Sequence, residues 1–95
     1  MHEGALVEGV LAVVVEAAAG QPVRRVKLHA GSAQHLTPES LELYWRLLAE
    51  DTVAARSDVQ LLEASAPDAL LIEEIELENG HVLRNPQLVE VRDEH

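Results

Sequence analysis

The 95-residue chain predicts an α+β fold, with two helices packed on one face of a small mixed or antiparallel sheet of three to four strands. Three observations predict it. Apolar residues recur at spacings of three and four over residues 5–19 and again over 38–50. They alternate singly from Val23 to Ala30 and towards Glu78, and Asn79-Gly80, a strongly favoured hairpin pair, follows the second alternating run. The order of helix, strand, helix and then two or three strands lets both helices cover a single sheet face.

Residues 5–19 place Leu6, Val10, Val13 or Val14, and Ala17 on one helical face. Val13, Val14 and Val15 are β-branched and would suit a strand. The run is too long for one, however, and it ends at Gly20 with Pro22 beyond, which is helix-stop chemistry. From Val23 to Ala30, Val26, Leu28 and Ala30 share one face while Arg25, Lys27 and His29 share the other, so a strand covered on one side is expected, closed by Gly31. Thr37, Pro38 and Glu39 supply a hydroxyl cap, a proline at the first helical position and an acid in the first turn. The second helix then runs to about Glu50, with Leu41, Tyr44, Trp45 and Leu48 as its buried stripe. Val59 to Ala64 reads as a strand, Ser65 to Asp68 as a turn, and Ala69 to Glu78 as a longer strand. A return strand carries His81 to Arg84 and continues, after Asn85 and Pro86, through Leu88 to Val91.

Composition limits the function. Hydrophobic residues make up 47%, too many for a disordered acidic chain, and no apolar run approaches the roughly 20 residues needed to span a bilayer. The first ten residues carry no Lys or Arg, so the positive start of a secretory signal is missing and a cytoplasmic location is expected. With 17 acidic against 7 basic side chains the formal charge is −10, which disfavours nucleic acid and anionic membrane as partners. The absence of cysteine removes disulfides, thiol catalysis and thiolate zinc sites. Residues 48–95 carry 12 acids and 3 bases, against 5 and 4 in residues 1–47. An acidic half that repels itself predicts a covering partner or a homodimer through its sheet edge.

The opening Met1-His2-Glu3 is the candidate chemical site. A histidine at position two lets the terminal amine, the imidazole and deprotonated backbone amides surround one metal ion in a plane of nitrogens, which suits Ni(II) or Cu(II) better than zinc. The competing reading of His2 is a solvated side chain at a chain end. His29 is expected to face outward beside Lys27, His35 lies in the loop before the second helix, His81 follows the Asn-Gly turn, and His95 ends the chain. None of these pairs has zinc-enzyme spacing. Glu73, Glu74, Glu76 and Glu78 invite a carboxylate site, but alternation reads better as a solvated strand edge. No nucleophile elbow, phosphate loop or H-E-x-x-H motif points to an enzyme.

Met1-His2-Glu3 followed by an amphipathic helix with Glu8, then RRVKLHAGS ending at Gly31, then Pro38-Glu39-Ser40-Leu41 within LTPESLELYWRLLAEDT, resembles the HypA/HybF nickel metallochaperones of hydrogenase maturation. The likeness covers residues 1 to about 63. It implies nickel ligation by the Met1 amine, the backbone amide and imidazole of His2 and the amide of Glu3, with the Glu3 carboxylate as a nearby or partner contact. It also implies a nickel-handling GTPase of HypB type and a [NiFe] hydrogenase large-subunit precursor as partners. The family normally inserts a zinc domain with two Cys-x-x-Cys pairs, for which this chain has no cysteine. The expected organisation is one domain over residues 1–95, a turn near 65–68 where the insertion would stand, and an extension from about 79 to 95. ALLIEEIELE resembles either the family's last strand or a shrunken remnant of the zinc domain. Two functions are therefore expected in competition: a nickel carrier without zinc, or a degenerate member acting as a metal-free interaction module through its sheet edge or basic strand face.

Overall fold

The computed structural model describes residues 3–84. Helix α1 spans Glu3–Ala18 and buries Leu6, Val7, Val10, Leu11, Val14 and Ala18. It starts two residues earlier than the apolar periodicity predicts, with the Glu3 carboxylate in the first turn, where the positive end of the helix dipole favours it. Ala19 and Gly20 both take positive φ, 52° and 89°, and end it. The valine run stays helical because Val14 lies in the core while Val13 and Val15 pack at its margin.

Strand β1, Val23–Ala30, lies inside a mixed sheet of order β2-β1-β3-β4. It pairs in parallel with β2, Asp58–Glu63, and antiparallel with β3, Leu70–Leu77, which in turn pairs antiparallel with β4, Val82–Arg84. Each observed strand agrees with its predicted run to within one residue at either end. The continuation expected at Leu88–Val91 lies outside the described residues. Two register shifts interrupt the β1–β3 ladder, one between Val23 and Arg25 and one between Lys27 and Leu28. They let Val23, Val26 and Leu28 of β1 and Ile72, Ile75 and Leu77 of β3 all point into the core despite uneven spacing.

Helix α2, Pro38–Leu48, opens with a reciprocal cap in which the Thr37 hydroxyl accepts the Ser40 N–H at 3.1 Å while the Ser40 hydroxyl accepts the Thr37 N–H at 3.3 Å. It ends two residues short of the expected Glu50. Leu41 and Trp45 are buried, but Tyr44 is only half-buried and Leu48 is 36% exposed. The predicted four-residue stripe is therefore narrower than expected, because Tyr44 and Leu48 turn towards α1 rather than the sheet. The Trp45 indole N–H donates to the Ser57 hydroxyl at 2.9 Å, and that hydroxyl donates to the Ala54 carbonyl at 2.6 Å, which ties α2 to the entry of β2.

The acidic run corrects the sequence reading. β3 is an internal strand, so Glu73, Glu74 and Glu76 are not a solvated edge. They lie beside the cations of β1 and β4: Arg25 reaches Glu76 at 3.4 Å, Arg24 reaches Glu76 at 3.7 Å, Lys27 reaches Glu74 at 4.0 Å, and Arg84 reaches Glu74 at 3.3 Å. His29 hydrogen-bonds Glu73. Charges that look segregated along the chain become cross-strand pairs. The pairs offset the repulsion among the carboxylates of β3 and leave the basic strand face internally matched.

Gly31 closes β1 against the 64–69 connection. A Cβ there would stand 2.0 Å from the Ala66 carbonyl oxygen and 2.4 Å from that of Pro67. The Gly31 N–H donates to Ala69 O at 2.9 Å and the Ala33 N–H to Pro67 O at 2.7 Å, while the Gln34 side-chain amide donates to Asp68 O at 2.8 Å. Two backbone segments meet here with no room for a side chain.

Candidate metal centre

Of the three expected ligands, Met1 and His2 lie outside the described residues, and Glu3, half-buried, is the first residue of α1. The first four N–H groups of a helix have no acceptor within it, so the Glu3 amide is free of intrahelical bonding. The next residue fixes where this end sits. A Cβ on Gly4 would come within 3.3 Å of Tyr44 Cε1, so the start of α1 lies against the aromatic ring of α2. Helix α1 thus starts on the helical layer, beside the half-buried Tyr44.

Among the described residues, the other histidines do not converge. His29 points to the opposite face of the sheet and is engaged by Glu73. His35 is exposed, with φ 57°, in the loop before α2, and His81 is exposed after the hairpin turn. His95 lies outside the described residues. Among the described residues no group of three or more His, Asp or Glu is placed to hold an ion.

The carboxylates of β3 are structural ion-pair partners. The hydrogen bond from His29 holds the Glu73 carboxyl below its ordinary range, helped by the charges of His29, Lys27 and Arg84 and opposed by partial desolvation. Sequence reasoning missed this pairing. A signal was present: Arg25, Lys27 and His29 alternate on β1, and Glu74 and Glu76 alternate on β3, with the register needed to face one another. It also missed Leu43 and Leu47, which stand one helical turn apart outside the predicted stripe and are 56% and 61% exposed.

Among the described residues no helix is long and apolar enough to cross a membrane. Comparison with known proteins bears on the amino-terminal two thirds of the chain. The family model described as hydrogenase/urease nickel incorporation, metallochaperone, hypA matches residues 1–69. The chain is 29% identical over 63 residues to a hydrogenase maturation factor HypA of Crocosphaera subtropica, covering 66% of this chain and 55% of that protein. It is 32% identical over 66 residues to a hydrogenase maturation factor HypA 2 of Bradyrhizobium diazoefficiens, covering 66% and 58%. The alignments thus span little more than half the length of these relatives. The matched region holds Met1-His2-Glu3, both helices, β1, β2 and the connection that meets Gly31, and on that extent of agreement the chain belongs to the HypA family.

Proposed function

We propose that this protein is a nickel carrier that holds one Ni(II) at its amino terminus and passes it on for assembly of a [NiFe] hydrogenase. The observation that carries the reading is the family match, which begins at residue 1 and includes Met1-His2-Glu3. The Met1 amine, the backbone amide and imidazole of His2 and the amide of Glu3 would supply four nitrogens to the ion, a donor set that suits square-planar Ni(II). Deprotonating the two amides supplies two negative charges, which balance the charge of the ion. The placement of α1 supports this, because the Glu3 amide is a helix-terminal N–H that can lose its proton without breaking a helical hydrogen bond. A neutral complex also avoids setting net positive charge against the positive end of the α1 dipole. The Glu3 carboxylate remains available for a contact with a receiving protein. A nickel-handling GTPase and the hydrogenase large-subunit precursor are the proposed partners, and no zinc is required.

The test is titration of untagged protein with nickel, followed by calorimetry and by the visible absorption of square-planar Ni(II). One site is expected, and His2→Ala should abolish it. An intact protein that binds no nickel overturns the reading. An added residue before Met1 displaces the amine and should weaken binding as His2→Ala does.

A further inference from the structure

Helix α2 leaves large apolar side chains in solvent: Leu43 at 56%, Leu47 at 61% and Leu48 at 36% exposed. Leu43 and Leu47 form one row a turn apart, and Tyr44 and Leu48 form a second row beside it. The second row faces α1. Tyr44 lies against Gly4, and Leu48 shares with Leu11, Ala12 and Val15 an open groove of about 410 Å³ that Glu8, Glu16 and Thr52 complete.

The charge around this groove is one-sided. Glu8, Glu16, Glu50 and Asp51 are exposed, and none has an ion-pair partner among the described residues. Arg24, Arg25, Lys27 and Arg84 are engaged on the far side of the sheet, Arg46 is held by Glu42 at 2.9 Å, and the exposed Arg56 stands with that pair around a different pocket, beside Trp45. Helix α2 also ends at Leu48, so the negative end of its dipole adds to the carboxylates. The groove is therefore apolar at its centre and anionic at its rim.

We propose that this groove binds a cationic amphipathic helix of a partner protein. The apolar stripe of that helix covers Leu43, Leu47, Leu48 and Val15, while its Lys or Arg side chains meet Glu8 and Glu16. A helix suits the surface because the backbones of α1 and α2 are bonded within themselves, so there is no edge for an added strand and recognition falls to side chains. A second copy of this chain would bring carboxylates against carboxylates, and an anionic bilayer meets the same repulsion. None of the groove residues belongs to the proposed ligand set of Met1, His2 and Glu3, so groove variants should keep their nickel stoichiometry, and the two proposals fail independently.

The probe is an idealised leucine/lysine amphipathic peptide of about five helical turns, with a leucine/glutamate peptide of the same pattern as comparison. Binding to the full chain is measured by calorimetry and mapped by amide chemical shifts. The lysine peptide is expected to bind and to shift resonances of Val15, Leu47 and Leu48. Leu43→Ser with Leu47→Ser should weaken binding by about tenfold or more. Glu8→Gln with Glu16→Gln should weaken it by about fivefold at low salt and flatten its salt dependence. Both leucines are solvent-exposed, so the fold should survive, which circular dichroism checks, and the glutamine pair is an independent variant. Equal affinity for the two peptides, or no loss in the serine variant, overturns the proposal. A dimer dissociated by Leu47→Ser overturns it in favour of a second copy. Flotation with phosphatidylglycerol vesicles, lost in the same variant, overturns it in favour of a membrane.

Discussion

Replacing Gly31 with alanine should be among the most costly single-methyl additions this fold can receive. The new Cβ would sit 2.0 Å from Ala66 O, 2.4 Å from Pro67 O and 2.5 Å from Pro67 C, all of them backbone atoms that no rotamer change can move aside. Reaching an ordinary carbon–oxygen contact needs a displacement of about 1 Å or more. Such a shift strains the 2.9 Å bond from Gly31 N to Ala69 O and the 2.7 Å bond from Ala33 N to Pro67 O. Losing two backbone bonds costs about 1 kcal/mol each, and forcing the segments apart adds about 1 kcal/mol more. The sum, about 3 kcal/mol, corresponds to a fall in Tm of about 15 °C for a domain of this size. Backbone preference contributes nothing, since Gly31 at φ −83°, ψ 170° is in an extended conformation open to any residue. Gly9→Ala is the control. It adds a methyl with nothing within 4 Å inside α1, and should stabilise by about 0.5–1 kcal/mol through helix propensity. Urea unfolding of the three proteins, with m-values held equal, measures both. A Gly31→Ala loss below about 1 kcal/mol would refute the close approach of the 64–69 connection.

Other expectations follow from individual contacts. Ser57→Ala leaves the buried Trp45 indole N–H without its acceptor and should cost about 1–2 kcal/mol, with a changed near-ultraviolet dichroism band; unchanged stability would mean the indole finds another partner. Glu73 has a lowered folded pKa, so its contribution to stability is fully present above the ordinary glutamate range and is lost as pH falls through the lowered value. Glu73→Gln should therefore flatten the acid limb of a stability–pH profile, and an unaltered slope contradicts the His29 pairing. Nickel binding through two deprotonated amides releases at least two protons, so apparent affinity should climb by about 100-fold or more per pH unit near neutrality; a pH-independent affinity is incompatible with amide ligation.

Much of the fold was legible because local chemistry decided it. Thr37, Pro38 and Ser40 define the start of α2 whatever surrounds them, and the apolar spacing of α1 outlasts the β-preference of its three valines. The strand of Glu73, Glu74 and Glu76 was misjudged as an edge for a complementary reason. Which strand lies beside which is a non-local fact, and the run of acids is explained by Arg24, Arg25, Lys27 and His29, some fifty residues earlier, together with Arg84 of β4. Leu48 had the right spacing for burial but faces an open groove that it shares with Leu11, Ala12 and Val15 of α1.

Local chemistry along the chain fixes the element types, the cap of α2 and the stop of α1, and the segments that carry the family match. These depend on residues near one another in the chain. Long-range packing is what sets β1 between β2 and β3, pairs Glu73, Glu74 and Glu76 with side chains of β1 and β4, leaves Gly31 no room for a side chain, and keeps Leu43, Leu47 and Leu48 in solvent on the helical layer. Each depends on atoms distant in sequence brought to within a few ångströms, and no periodicity along the chain encodes that distance.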